Sequence, residues 1–125
     1  MMTKYSRTIL LSVVLLFLST FAFAGADLKC YPNPVAAGYE NVSVSFTLPG
    51  NAPVTIMVYT LDGDLVNTLL NEQQFSAGEH STVRWNTKND NGKIVKPGPY
   101  VIMFEAIVEG VDEKITDKFV LIVGR

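Results

Sequence analysis

An all-β fold, two antiparallel sheets packed face to face, is what this sequence predicts. Three observations carry the prediction. Apolar and polar residues alternate with a period of two in several segments, turn residues recur about every ten positions, and no segment past the leader shows convincing helical periodicity. A short apolar leader precedes that pattern.

The leader comes first. Lys4 and Arg7 give a positive start, 9–18 is apolar apart from Ser12, and Ala22-Phe23-Ala24 offers small residues at both positions a signal peptidase reads. The apolar stretch to Ala24 is 16 residues long and contains Ser12, Ser19 and Thr20. A membrane span needs roughly 20, so 1–24 is read as a helical signal peptide cleaved after Ala24, with 25–125 as one mature domain. Contact with the membrane is then limited to the leader before cleavage. Acylation of Cys30 as a lipoprotein is rejected, because Lys29 directly precedes it.

Strands are expected in order. A short one covers 28–31, ahead of Pro32-Asn33-Pro34. In 41–48, Val42, Val44, Phe46 and Leu48 share one face and Ser43, Ser45 and Thr47 the other, the pattern of a half-buried strand. In 53–61, Val54, Ile56 and Val58 alternate with Thr55, Met57 and Tyr59. Asp62-Gly63 is a hairpin dipeptide, since glycine tolerates positive φ. A third strand is expected at 64–70: its apolar spacing would also fit a short helix, but the Asp-Gly turn and the strand on its far side favour β, and the polar stretch 71–78 reads as a loop. Further strands are expected at 80–86, 100–109 and 115–123, the last two joined by a hairpin through 110–113. The total is about seven antiparallel strands, an immunoglobulin-like β-sandwich.

One feature of the last two strands does not suit a wet outer surface. Val101, Met103 and Ile107 share a face with Glu105 and Glu109, and Val120 and Ile122 share one with Thr116 and Lys118. Either a loop or terminal segment covers these apolar residues, or they form a patch for a partner or a neighbouring subunit.

Several segments together resemble a known family. Tyr31-Pro32-Asn33-Pro34 is similar to its opening motif, and Val44-Ser45-Phe46-Thr47-Leu48-Pro49 to its first long strand. Val58-Tyr59-Thr60-Leu61-Asp62-Gly63-Asp64-Leu65-Val66-Asn67-Thr68-Leu69 resembles its strand–turn–strand pattern. Ser76-Ala77-Gly78-Glu79-His80 before Val83-Arg84-Trp85-Asn86, and Asn89-Asp90-Asn91-Gly92-Lys93-Ile94-Val95 before Pro97-Gly98-Pro99-Tyr100, follow in the family's order. The family is the Ig-like domain of the flagellar hook-capping protein (FlgD/Vpr type), a domain also appended to many secreted bacterial proteins. Val35, Asn86 and Pro99 depart from its usual residues. The opening motif also resembles C-terminal sorting domains of certain bacterial secretion systems. The resemblance implies an Ig-like sandwich serving as a structural or interaction module.

Charge narrows the function classes. Cleavage removes Lys4 and Arg7, leaving 8 basic against 12 acidic residues in 101, a net charge of −4. That balance, without a basic cluster, speaks against nucleic acid and against a polybasic membrane patch. The single cysteine, Cys30, excludes an internal disulfide; it is either buried or open to another chain.

Residues with chemical potential each have a simpler reading. His80 is the sole histidine, and no nucleophile pairs with it. Asp62 and Asp64 could bind a cation but suit a hairpin turn. Asn89-Asp90-Asn91-Gly92 evokes a calcium loop, yet Thr87 stands where the first acidic ligand belongs and no closing glutamate follows. Glu105 and Glu109 are spaced about 13 Å apart along a strand, too far for a direct carboxylate pair. The Asn41-Val42-Ser43 sequon carries little weight in a bacterial setting. No catalytic, cofactor-binding or metal-ligating residue is therefore nominated, and no cofactor is expected.

The reading is an exported, non-catalytic interaction module, periplasmic or extracellular, in a cell-envelope or extracellular assembly. Its expected partner is a protein, met through sheet faces, edges or loops, with Cys30 or the outer face of the last two strands as contact points. The alternative is a carbohydrate- or surface-binding module using loop aromatics such as Tyr59 or Tyr100.

Overall fold

The computed structural model describes residues 25–111 and 113–125; the expected leader lies outside them. Among these residues the chain is all β, with no helix. Eight strands form: β1 (Lys29–Tyr31), β2 (Val35–Ala36), β3 (Val42–Leu48), β4 (Ala52–Thr60), β5 (Leu65–Phe75), β6 (Gly78–Trp85), β7 (Gly98–Val108) and β8 (Glu113–Gly124). They make a three-stranded sheet, β1-β3-β6, and a five-stranded sheet, β2-β8-β7-β4-β5.

The alternation read from the sequence is what buries one face of each sheet. Val42, Val44, Phe46 and Leu48 turn inward from β3, and Val54, Ile56 and Val58 from β4. Between the sheets, Phe46 packs on Phe104 of β7 and Phe75 of β5, with ring centroids 5.1 and 5.3 Å away. At the other end Trp85 meets Tyr100 edge-on at 5.8 Å. Such aromatic pairs add dispersion and quadrupole attraction to the area they bury. Among the described residues the core runs from Ala26 to Val123.

Two expectations need correction. The loop expected at 71–78 is mostly strand: β5 continues to Phe75, and β6 starts at Gly78 after a short turn. Asn71, Glu72, Gln73 and Gln74 are all exposed, so no dry face exists to produce a period-two signal. The pairing with β4 is bulged here, and Glu72 sits at φ 50°. The second correction is β2, two residues that pair parallel to β8, Val35 with Val123 and Ala36 with Gly124. A parallel contact this short leaves no periodic trace. The remaining pairings are antiparallel.

The Asp62-Gly63 turn forms as expected. The Thr60 amide donates to the Asp64 carbonyl (2.9 Å), the Gly63 amide to the Thr60 carbonyl (3.0 Å), and Gly63 adopts φ 92°.

Several sheet edges are occupied from within. The 86–93 loop docks on β5: the Asp90 amide donates to the Val66 carbonyl (2.9 Å), and the Asn67 side-chain amide to the Lys88 carbonyl (2.7 Å). On β8, the Ala26 and Leu28 amides donate to Asp117 Oδ2 (3.0 and 3.2 Å), and the Ile122 amide to Asn33 Oδ1 (2.9 Å). On β6, Arg84 folds back, its guanidinium donating to the carbonyls of Ser81 (2.6 Å) and Val83 (3.1 Å). Occupied edges cannot recruit a foreign strand, which keeps a β protein from pairing indiscriminately.

Candidate interaction surface

The outer face of the five-stranded sheet is the most distinctive surface of the domain. Antiparallel register aligns residues of β4, β7 and β8 into rows. Tyr59, Val101 and Val120 form one row, and Met57, Met103 and Lys118 the next. Thr55, Glu105 and Thr116 follow, and Ile122 extends the apolar strip beyond Val120.

These side chains lie open to solvent. Met103 is 37% exposed, Ile122 45%, Ile107 48% and Val120 51%. Cover by a loop or terminal segment, one of the two readings offered by the sequence, is not what the described residues show. Met57 and Tyr59 are half-buried, and the Tyr59 hydroxyl lies 3.2 Å from Met57 Sδ. Methionines line the middle of the strip, and their flexible thioethers adapt to varied shapes. Charge frames it: Lys114 pairs with Glu105, while Lys118 stands beside Met103.

The other residues singled out in the sequence have structural duties. Cys30 faces inward from β1, opposite Val44, and is 5% exposed. Burial pushes its thiol up to about 12, because a thiolate there would lose its hydration. Cys30 is thus no contact point for another chain. His80 lies on β6, its Nε2 is 2.7 Å from the Ser76 carbonyl, and its ring packs on Phe75 and Phe46. It staples the β5–β6 turn to the core.

Asp62 and Asp64 belong to an exposed turn held by Thr60, whose hydroxyl accepts the Asp64 amide at 3.1 Å. Asn89 Oδ1 accepts the amides of Asn91 and Lys93, both at 3.0 Å, so the would-be calcium loop is tied by its own side chain. Glu105 pairs with Lys114, whereas Glu109 Oε1 accepts the Gln74 side-chain amide at 2.9 Å. The two carboxylates are thus engaged separately. Among the described residues, no three His, Cys, Asp or Glu side chains converge as a metal site.

The aromatics proposed for sugar binding are not on loops. Tyr100 is buried on β7, and its hydroxyl donates to the Lys96 carbonyl at 2.6 Å. Burial also raises its phenol above the ordinary value. Tyr59 sits in mid-sheet on β4. The two do not share a platform.

Two residues that matter structurally were given no role by the sequence. Thr87 is fully buried at φ 60°; its hydroxyl accepts the Gly38 amide (2.8 Å) and donates to the Asn86 carbonyl (2.6 Å). Asp117 is a partly buried carboxylate at the sheet edge, holding the segment at Ala26 and Leu28. Its odd-numbered position puts it in phase with Ile115, Leu121 and Val123, which face the core. A charge in that phase was the one clue available.

Comparison with solved structures bears on the whole arrangement. FlgD from P. aeruginosa superposes with a TM-score of 0.56 at 22% identity, over 79% of this chain and 76% of that one. The likeness is one of fold. The chain is an FlgD-like, Ig-like domain in architecture, as the sequence resemblance implied. PorZ, described as an essential bacterial surface component of the type-IX secretion system of Porphyromonas gingivalis, matches with a TM-score of 0.51 at 20% identity. That match covers 79% of this chain and only 12% of PorZ, so the chain corresponds to a small part of that protein. No protein-family model matches the sequence, and no curated protein is detectably similar to it.

Proposed function

We propose that this chain is an exported, non-catalytic interaction module that contributes an Ig-like domain to a cell-envelope or extracellular assembly. The observation that carries the reading is the uncovered apolar strip formed by Met57, Tyr59, Val101, Met103, Val120 and Ile122 on the outer sheet face. Apolar surface arranged contiguously, rather than scattered, marks binding sites on soluble domains. Parts of the β5, β6 and β8 edges are engaged from within, which favours the face over those edges as the surface offered. The two structural neighbours, a hook-capping protein and a secretion-system surface component, support a role in assembly. Export rests on the leader at 1–24, and a non-enzymatic role on His80, Asp62, Asp64, Glu105 and Glu109 each having a structural partner or turn to serve.

A photo-crosslinking amino acid placed at Val120 in the native host tests this. One recurrent protein adduct, identified by mass, should form at Val120 and not at the exposed turn residue Asp62. Val101→Glu combined with Ile122→Glu, with the crosslinker kept at position 120, should abolish the adduct while leaving the folded spectrum unchanged. An adduct of equal yield at both positions, or one insensitive to the two glutamates, would remove the outer face from consideration.

A further inference from the structure

Where the leader ends has a structural answer. Two overlapping small-x-small triplets satisfy a signal peptidase: Ala22-Phe23-Ala24 and Ala24-Gly25-Ala26. The fold distinguishes them. Ala26 is fully buried; its carbonyl accepts the Thr47 amide at 2.7 Å, and its amide donates to Asp117 Oδ2 at 3.0 Å. Cutting after Ala26 would remove a residue that joins β3 to β8. Gly25 is exposed, and a Cβ built on it would lie 3.3 Å from Asp117 Oδ2. Its backbone already runs beside that carboxylate.

The carboxylate is poorly neutralised. Among the described residues, the donors to Asp117 Oδ2 are the uncharged amides of Ala26 and Leu28, and Oδ1 accepts only the Lys118 amide at 2.9 Å. Nearby, Asp27 pairs with Lys29 at 3.5 Å. A charged donor at Gly25 would complete the site.

We propose that the chain is processed at the Ala24–Gly25 bond and that Asp117 receives the new amino terminus as an ion pair. This rests on the export reading above. In the cleavage, water adds across the peptide bond: Ala24 departs with the carboxylate, and Gly25 keeps the nitrogen as an amine. That amine takes up a proton at neutral pH, since α-amino groups titrate near about 8. Rotation about the Gly25 Cα–C bond, unrestricted by any side chain, swings the ammonium towards Oδ2. Charge-assisted bonds of this kind are shorter and stronger than those from neutral amides. Processing therefore tightens the N-terminal segment against β8, and the unprocessed precursor lacks that contact.

The test begins with the full chain expressed in an exporting bacterium and the intact mass of its envelope product. A product starting at Gly25 is expected. Retention of Met1 would defeat the export reading itself, whereas a start at Asp27 would leave export standing and defeat this site. The processed protein is then compared with the same protein blocked selectively at its α-amine. Blocking should lower Tm by roughly 4 °C, and should have no effect on the Asp117→Asn chain. No loss in the wild type, or equal loss in both, would overturn the role of Asp117. Should Asp117→Asn not fold, salt decides: the loss on blocking must shrink in molar salt if it is ionic, and a salt-independent loss refutes the pair.

Discussion

Replacing Thr87 by valine isolates one buried hydroxyl. Valine is as branched as threonine, so the strain of a branched residue at φ 60° is common to both and cancels. What is lost is the bond from the Gly38 amide (2.8 Å) and the bond to the Asn86 carbonyl (2.6 Å). Thr87 is fully buried, so water is poorly placed to replace them. Leaving a buried donor unsatisfied costs about 1–3 kcal/mol, and about 2 kcal/mol is a fair centre. Residues 25–125 number 101. At roughly 2 cal/mol/K per residue their unfolding entropy is about 0.2 kcal/mol/K, so Tm should fall by about 10 °C. Urea unfolding followed by fluorescence of Trp85, the sole tryptophan and buried in the core, reads this directly. The midpoint should drop with the slope unchanged. Thr87→Gly serves as a companion: it loses the same bonds but relieves the backbone, and should lie between wild type and Thr87→Val. A Thr87→Val chain within about 0.5 kcal/mol of wild type would show that the hydroxyl does not anchor the Gly38 turn.

Other consequences are equally direct. Cys30 should resist thiol reagents at neutral pH in the folded chain and react at once in denaturant. Its folded value, about 12, lies above the ordinary 9.0, so the folded state holds the proton longer. The stability tied to that neutral thiol is intact below pH 9 and declines as pH climbs towards 12. Cys30→Ala should be flatter over that window when the two chains' urea midpoints are compared. Glu72 occupies φ 50° on the exposed part of β5, so Glu72→Gly should be neutral or stabilise by up to about 1 kcal/mol, while Glu72→Val destabilises. Thermal melts of the two variants distinguish local strain from a side-chain role.

How far the molecule was legible depends on how each feature is encoded. The buried faces of β3, β4, β7 and β8 were readable because alternation is a local property of consecutive residues. Asp62-Gly63 was readable because the turn demands a residue tolerant of positive φ. The outer apolar strip was half readable: Val101, Met103, Val120 and Ile122 stood out as apolar in the wet phase, but Met57 and Tyr59 joined them only through strand pairing. The C-terminal part of β5 was missed because a bulged edge strand wet on both faces has no periodic signature. Tyr100 was offered as a loop aromatic although it opens the strand expected at 100–109, because it adjoins Pro-Gly-Pro; register turns it inward onto Trp85.

The sequence alone determined an all-β domain of immunoglobulin-like type, because period and turn chemistry are written locally. Tertiary structure alone decided which faces remain open, which edges are closed and which polar residues hold the ends together. Thr87 reaches Gly38 across 49 positions and Asp117 reaches Ala26 across 91. Contacts over such separations are set by how the sheets stack, and no local pattern in the chain announces them.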